Sequence, residues 1–192
     1  MKLEKEIFKI PNLLSLYRLL LSLIIPILWI RDFSPKWLSL LIFSGALSDT
    51  LDGNLARLLK QKTNLGKVLD PIADKCFINM LFFLFLWEGL IKIPFFTVIL
   101  LRDILILGGA LYLLKRGLDL SLLSPTILGK TSTVFQLFCL LILSVDYYLK
   151  DLPPNLVNVV LNITLFLTTA SGFHYFLRFR RFSLYKVPPQ LG

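Results

Sequence analysis

The chain has 192 residues, 56% of them hydrophobic, with a mean hydropathy of +0.74 and a formal net charge of +9. Soluble globular domains are about 45–50% apolar, so this composition excludes an ordinary water-soluble domain and points to an integral membrane protein. It also argues against nucleic acid as a partner. The 21 Lys and Arg residues stand mainly between apolar runs, where membrane topology accounts for them.

Residues 1–12, MKLEKEIFKIPN, mix charged and apolar side chains. They read as an amphipathic segment on the membrane surface, with Lys2, Lys5 and Lys9 at the headgroups, and not as a cleavable leader. Six apolar runs follow: Leu13–Ile30, Trp37–Leu59, Val68–Leu90, Pro94–Leu114, Thr131–Leu149 and Leu156–Leu177. Each is close to the ~20 residues with which a helix crosses the hydrocarbon. The alternation of a barrel strand is missing, so the expected fold is an all-α membrane protein of six transmembrane helices. One domain spans 1–192, and residues 183–192 form a flexible tail.

Positive charge orients the helices. One side collects Lys2, Lys5, Lys9, Arg57, Lys60, Lys62, Lys67, Lys115, Arg116, Lys130, Arg178, Arg180, Arg181 and Lys186. The other has Arg31, Lys36, Lys92 and Lys150. Both termini are therefore expected in the cytoplasm. Cys76 and Cys139 lie in apolar runs and read as packing residues, and the lone His174 rules out a histidine-rich metal site.

Several spans contain charge: Arg18 in the first, Asp49 and Asp52 in the second, Asp70, Asp74 and Lys75 in the third, Arg102 and Asp103 in the fourth. An ionisable group at bilayer depth costs at least ~2.5–3.5 kcal/mol, so such groups face the bundle interior or a wet cavity and mark function by default. Asp49 and Asp52 are spaced i, i+3, and Asp70 and Asp74 i, i+4, so each pair shares a helix face. Four converging carboxylates repel one another unless cations intervene. Hard divalent ions take oxygen ligands, and Mg²⁺ in particular is held by carboxylates together with substrate phosphates. Gly53 and Gly66 allow close approach to the backbone, Ala56 keeps its face narrow, and Arg57 suits a phosphate. The pattern fits a metal-bound diphosphate at the cytoplasmic rim.

Asp49-x-x-Asp52-Gly53-x-x-Ala56-Arg57, eight further residues, then Gly66-x-x-x-Asp70-x-x-x-Asp74 resembles the signature of the CDP-alcohol phosphatidyltransferases at all eight of its defining positions. Pro11-Asn12-Leu13-Leu14-Ser15-x-x-Arg18 is similar to the family's PN-x-L-T-x-x-R opening, with Ser for Thr. The resemblance implies a homodimer with a cavity open to the cytoplasm. In the implied reaction an alcohol hydroxyl attacks the β-phosphorus of CDP-diacylglycerol and CMP leaves. It implies that Asp49, Asp52 and Asp70 bind Mg²⁺ or Mn²⁺, and that Asp74 is the general base and also touches metal. Asp52, Gly53, Ala56, Arg57 and Gly66 would cradle the CDP moiety.

For the acceptor, Arg102 and Lys130 are the candidate residues, and two cations suit a phosphate-bearing alcohol, glycerol 3-phosphate. Arg102-Asp103-Ile104 and Gly129-Lys130-Thr131-Ser132-Thr133 resemble the A-R-E and GK-x-KT patterns of phosphatidylglycerophosphate synthases, with Asp for Glu and Ser for the second Lys. Asp for Glu is similar to eukaryotic-type cardiolipin synthases, whose acceptor is phosphatidylglycerol, and one cation fewer would suit that phosphodiester. An ion-coupled transporter is the reading from another class, because intramembrane acids also line ion pathways. The four acids argue against it, since they flank one basic loop and not a path through the bilayer.

Overall fold

The computed structural model describes the backbone at residues 9–58, 66–115, 126–149 and 152–183, and the side chains within these ranges except at 11, 49–58, 67, 68, 113–115, 149, 182 and 183. The described residues form six helices and no strand: α1 (Ile10–Ile30), α2 (Pro35–Leu58), α3 (Gly66–Trp87), α4 (Ile93–Lys115), α5 (Ile127–Leu149) and α6 (Pro154–Ser183). Residues 1–8 of the expected surface segment and 184–192 of the expected tail lie outside the described residues, whereas Ile10, Pro11 and Asn12 already belong to α1 and Ser183 to α6.

Among the described residues, four helices are long and apolar enough to cross a membrane, over Asn12–Ile30, Ile93–Tyr112, Ile127–Tyr148 and Pro154–Arg181. The other two are the ones that carry the acids. Every 18-residue stretch of α3 contains Asp70, Asp74 and Lys75, and the described side chains of α2 cover only 35–48, a shorter stretch than a span needs.

Several boundaries differ from expectation. The helix expected over Val68–Leu90 starts at Gly66 and stops at Trp87, where Gly89 takes a left-handed φ of 75° that ends the turn. The fifth helix begins at Ile127 and not Thr131, which places Gly129 and Lys130 on its first turn. The sixth runs to Ser183, so Arg178, Arg180 and Arg181 continue the helix beyond the apolar stretch.

The chain divides into two compact units, 1–89 and 90–192. In the first, α2 and α3 both pack on α1. The register of α1 on α3 is parallel. Ser15 meets Asp70, Arg18 meets Asp74, and farther along Trp29 meets Phe85 and Glu88. Trp29 Nε1 donates to Glu88 Oε1 at 2.6 Å, and its ring stands edge-on to Phe85 at 6.5 Å between centroids. Gly45 of α2 permits the tightest approach: a Cβ there would lie 2.5 Å from Phe77 and 3.1 Å from Leu21. In the second unit α4 and α5 both pack on α6. Buried polar side chains are satisfied partly inside their own helices, as where Thr164 Oγ1 donates to the Val160 carbonyl at 2.8 Å.

Candidate functional site

The acidic site belongs to the first unit. The α2 backbone is helical through Leu58, so Asp49, Asp52, Gly53, Ala56 and Arg57 occupy its last turns at the predicted helical spacing. Their side chains lie outside the described residues, as do Lys60 and Lys62. Gly66 opens α3 and is buried. Asp70 and Asp74 follow on the first turns of α3, on one face and partly accessible. Pro71 lies between them inside the helix, and its ring removes the amide that would otherwise bond the carbonyl of residue 67.

Facing these carboxylates is a polar stripe on α1. Asn12, Ser15 and Arg18 recur at every third residue and are 1%, 0% and 1% exposed. The Ser15 hydroxyl donates to Asp70 Oδ1 at 2.5 Å. Arg18 Nη1 lies 2.5 Å from Asp74 Oδ1, and Arg18 Nη2 donates to Ser15 Oγ at 3.4 Å. Arg18 and Ser15 thus link both carboxylates of α3 to one face of α1. Spacing flagged Arg18 as an out-of-place charge and Ser15 as part of a motif, but gave neither a partner. Their i, i+3 spacing was the available signal.

A carboxylate accepts at both oxygens with about four lone-pair sites, so Asp70 can hold a hydroxyl and a cation together. The donor set, carboxylate oxygen throughout, fits a hard divalent ion. Among the described residues no group of three metal-type side chains is complete, as two of the four acids lie on the last turns of α2.

The two acceptor candidates belong to the second unit. Arg102 is 4% exposed and its neighbour Asp103 is 1% exposed. Arg102 Nη1 pairs with Asp103 Oδ1 at 2.7 Å. Its Nη2 donates to the Gly129 carbonyl at 3.1 Å and to Thr133 Oγ1 at 3.4 Å. Arg102 therefore ties α4 to the first turn of α5. Its Nε is buried without a partner among the described residues. Lys130 sits exposed on that same turn. The turn is capped by Thr126, whose Oγ1 accepts from the Gly129 amide at 3.1 Å, while the Thr126 amide donates to the Tyr175 hydroxyl at 3.2 Å. A Cβ at Gly129 would lie 2.7 Å from that hydroxyl, which accounts for the glycine.

Ser132, at the position of the missing second lysine, is fully buried and donates to Thr168 Oγ1 at 3.4 Å. It joins Gln136 and Thr168 in a polar seam between α5 and α6 that the sequence analysis did not single out.

Among the described residues, Asp70 and Asp74 stand on one helix face beside the buried Arg18 of a neighbouring apolar helix. The sequence matches the CDP-alcohol phosphatidyltransferase family over residues 8–170. The chain belongs to that family and is a membrane transferase of phospholipid biosynthesis. It is 36% identical to a CDP-diacylglycerol–glycerol-3-phosphate 3-phosphatidyltransferase of Aquifex aeolicus, over 88% of this chain and 94% of that one. It is 34% identical to a putative cardiolipin synthase of Mycobacterium tuberculosis over 68% of this chain, and 30% identical to the CMP-forming cardiolipin synthase of Rattus norvegicus over 87%. These two alignments span 61% and 60% of those longer proteins.

Proposed function

We propose that the protein transfers the phosphatidyl group of CDP-diacylglycerol to glycerol 3-phosphate, giving phosphatidylglycerophosphate and CMP. The observation that carries this reading is the pair Asp70 and Asp74 on one face of α3, Asp70 hydrogen-bonded to Ser15 and Asp74 ion-paired with Arg18 of α1. The likeness to the Aquifex aeolicus enzyme along nearly its whole length supports the acceptor.

In this reading Asp49, Asp52 and Asp70, with an oxygen of Asp74, hold Mg²⁺ or Mn²⁺. The bound cation supplies Lewis-acid polarisation and offsets the negative charge of the diphosphate. Asp52, Gly53, Ala56, Arg57 and Gly66 bind the CDP moiety, with glycine and alanine leaving room for it and Arg57 gripping phosphate oxygens in its fork. The acceptor hydroxyl gives its proton to Asp74 as its oxygen bonds to the β-phosphorus. The bond from that phosphorus to the CMP oxygen breaks, and CMP departs with the electron pair. Lys130, and Arg102 through Nε, hold the acceptor's phosphate. The excess of basic residues at one set of helix ends supports a cytoplasmic site with both termini on that side, and the family resemblance supports one membrane domain that works as a homodimer.

A second reading, transfer to phosphatidylglycerol, is favoured by Ser132. A buried serine replaces the second cation of the GK-x-KT pattern, and a phosphodiester carries less charge than a monoester. Purified protein supplied with CDP-diacylglycerol, Mg²⁺ or Mn²⁺ and either acceptor decides between them by CMP release and the mass of the lipid product. Glycerol 3-phosphate is the expected acceptor. No CMP with any alcohol would refute the enzyme assignment.

A further inference from the structure

Arg18 is a buried cation in a span that does not need it for register. The placement of α1 on α3 is already set by Leu21, Ile25 and Trp29, all buried, and by the Trp29–Glu88 hydrogen bond. An arginine at bilayer depth is costly unless its partners make use of it. Both partners bonded at its end of α1, Asp70 directly to Ser15 and Asp74 directly to Arg18, are acids of the proposed cation site.

An aspartate's terminal torsion is broad and roughly two-fold, so an unrestrained carboxylate swings. Two carboxylates at i, i+4 on one helix face also repel each other and rotate apart. Ser15 hydrogen-bonds Oδ1 of Asp70 and Arg18 ion-pairs with Oδ1 of Asp74, both at 2.5 Å, and the Arg18–Ser15 contact couples the two holds. Fixing one oxygen of a planar group fixes the direction of the other. A binding constellation needs its ligands held to within about 0.5 Å, and outer partners typically contribute 10–100-fold to metal affinity.

We propose that Ser15 and Arg18 of α1 are positioning residues that orient Asp70 and Asp74 for a divalent cation. The inference rests on the reading of those two acids as cation ligands. It assigns α1 a part in the site although α1 supplies no ligand. Ser15 is the sharper probe, because removing its hydroxyl deletes its short bond to Asp70 and its longer one to Arg18 and leaves the Arg18–Asp74 ion pair in place.

The test uses the full-length protein in lipid–detergent micelles without substrate. Mn²⁺ affinity is read from the electron-paramagnetic-resonance signal of free Mn²⁺, and thermal stability is read from cation-free samples. Ser15→Ala is expected to raise the Mn²⁺ dissociation constant by about 10-fold or more, with the cation-free melting temperature nearly unchanged. Ser15→Thr, which keeps the hydroxyl, is expected to restore affinity, and Arg18→Lys to weaken it through loss of the fork. Asp70→Asn tests the underlying reading and is expected to abolish tight binding. If Ser15→Ala binds Mn²⁺ like the parent while Asp70→Asn does not, the positioning role is wrong and the ligand reading stands. If Ser15→Thr binds as poorly as Ser15→Ala, the hydroxyl is not the cause and the inference also falls. Parent-like affinity in Asp70→Asn overturns the ligand reading and the inference with it.

Discussion

Replacing Arg102 by alanine separates what this residue does for the fold from what it does for the acceptor. Its guanidinium is 2.7 Å from Asp103 Oδ1 and 3.1 Å from the Gly129 carbonyl, and its stem lies against Gly172, where a Cβ would stand 3.5 Å from Arg102 Cβ and Cγ. Asp103 is 1% exposed, so Arg102→Ala removes the cation beside a buried carboxylate. Breaking a buried pair from one side costs about 3–5 kcal/mol. For a chain of this size each kcal/mol moves the melting temperature by roughly 2–4 °C, so the drop should be about 6–20 °C. Adding Asp103→Asn removes the charge that Arg102 balances and should recover part of that loss. Melting followed by tryptophan fluorescence in micelles gives the three comparisons. A single variant within about 2 °C of the parent, or a double variant less stable than the single, would refute the argument. The stable double variant then reports on chemistry. If its KM for glycerol 3-phosphate equals the parent's, Arg102 serves only to tie α4 to α5; a raised KM with little change in kcat makes it an acceptor contact as well.

Lys130→Ala should leave stability within about 0.5 kcal/mol, since the side chain is exposed, and should raise the KM for glycerol 3-phosphate by about 10- to 100-fold, the worth of one charge-assisted hydrogen bond. An unchanged KM would place the acceptor's phosphate elsewhere. Asp74→Asn should lower kcat by about 10²–10⁴ and weaken Mn²⁺ binding clearly less than Asp49→Asn does. Equal loss of affinity in both would mean that base and ligand are not separable. Gly129→Ala puts a Cβ 2.7 Å from the Tyr175 hydroxyl and should destabilise by about 1–3 kcal/mol, read as a lowered melting temperature.

The parts of this molecule that were legible in its sequence are those written in local spacing. Six helices follow from apolar runs, and the two acid pairs follow from separations of three and four residues. The helix ends were misjudged where a charged or small residue was counted as loop. Gly129 and Lys130 lie on a helical first turn because Thr126 caps it and Tyr175 closes over it. Arg178 to Arg181 stay helical because long basic side chains reach the interface without unwinding the backbone. What stayed hidden is the pairing between distant segments. Ser15 and Asp70 are 55 positions apart, and no local period links them. Their meeting depends on a parallel register of α1 and α3, which is set by Trp29 against Phe85 and Glu88 at the other end of the same two helices. The apolar end of the unit therefore bears on the chemistry of the polar end. A slip of α1 by one residue would turn Ser15 and Arg18 about 100° away from Asp70 and Asp74, so the packing around Trp29 is part of how the acids are held.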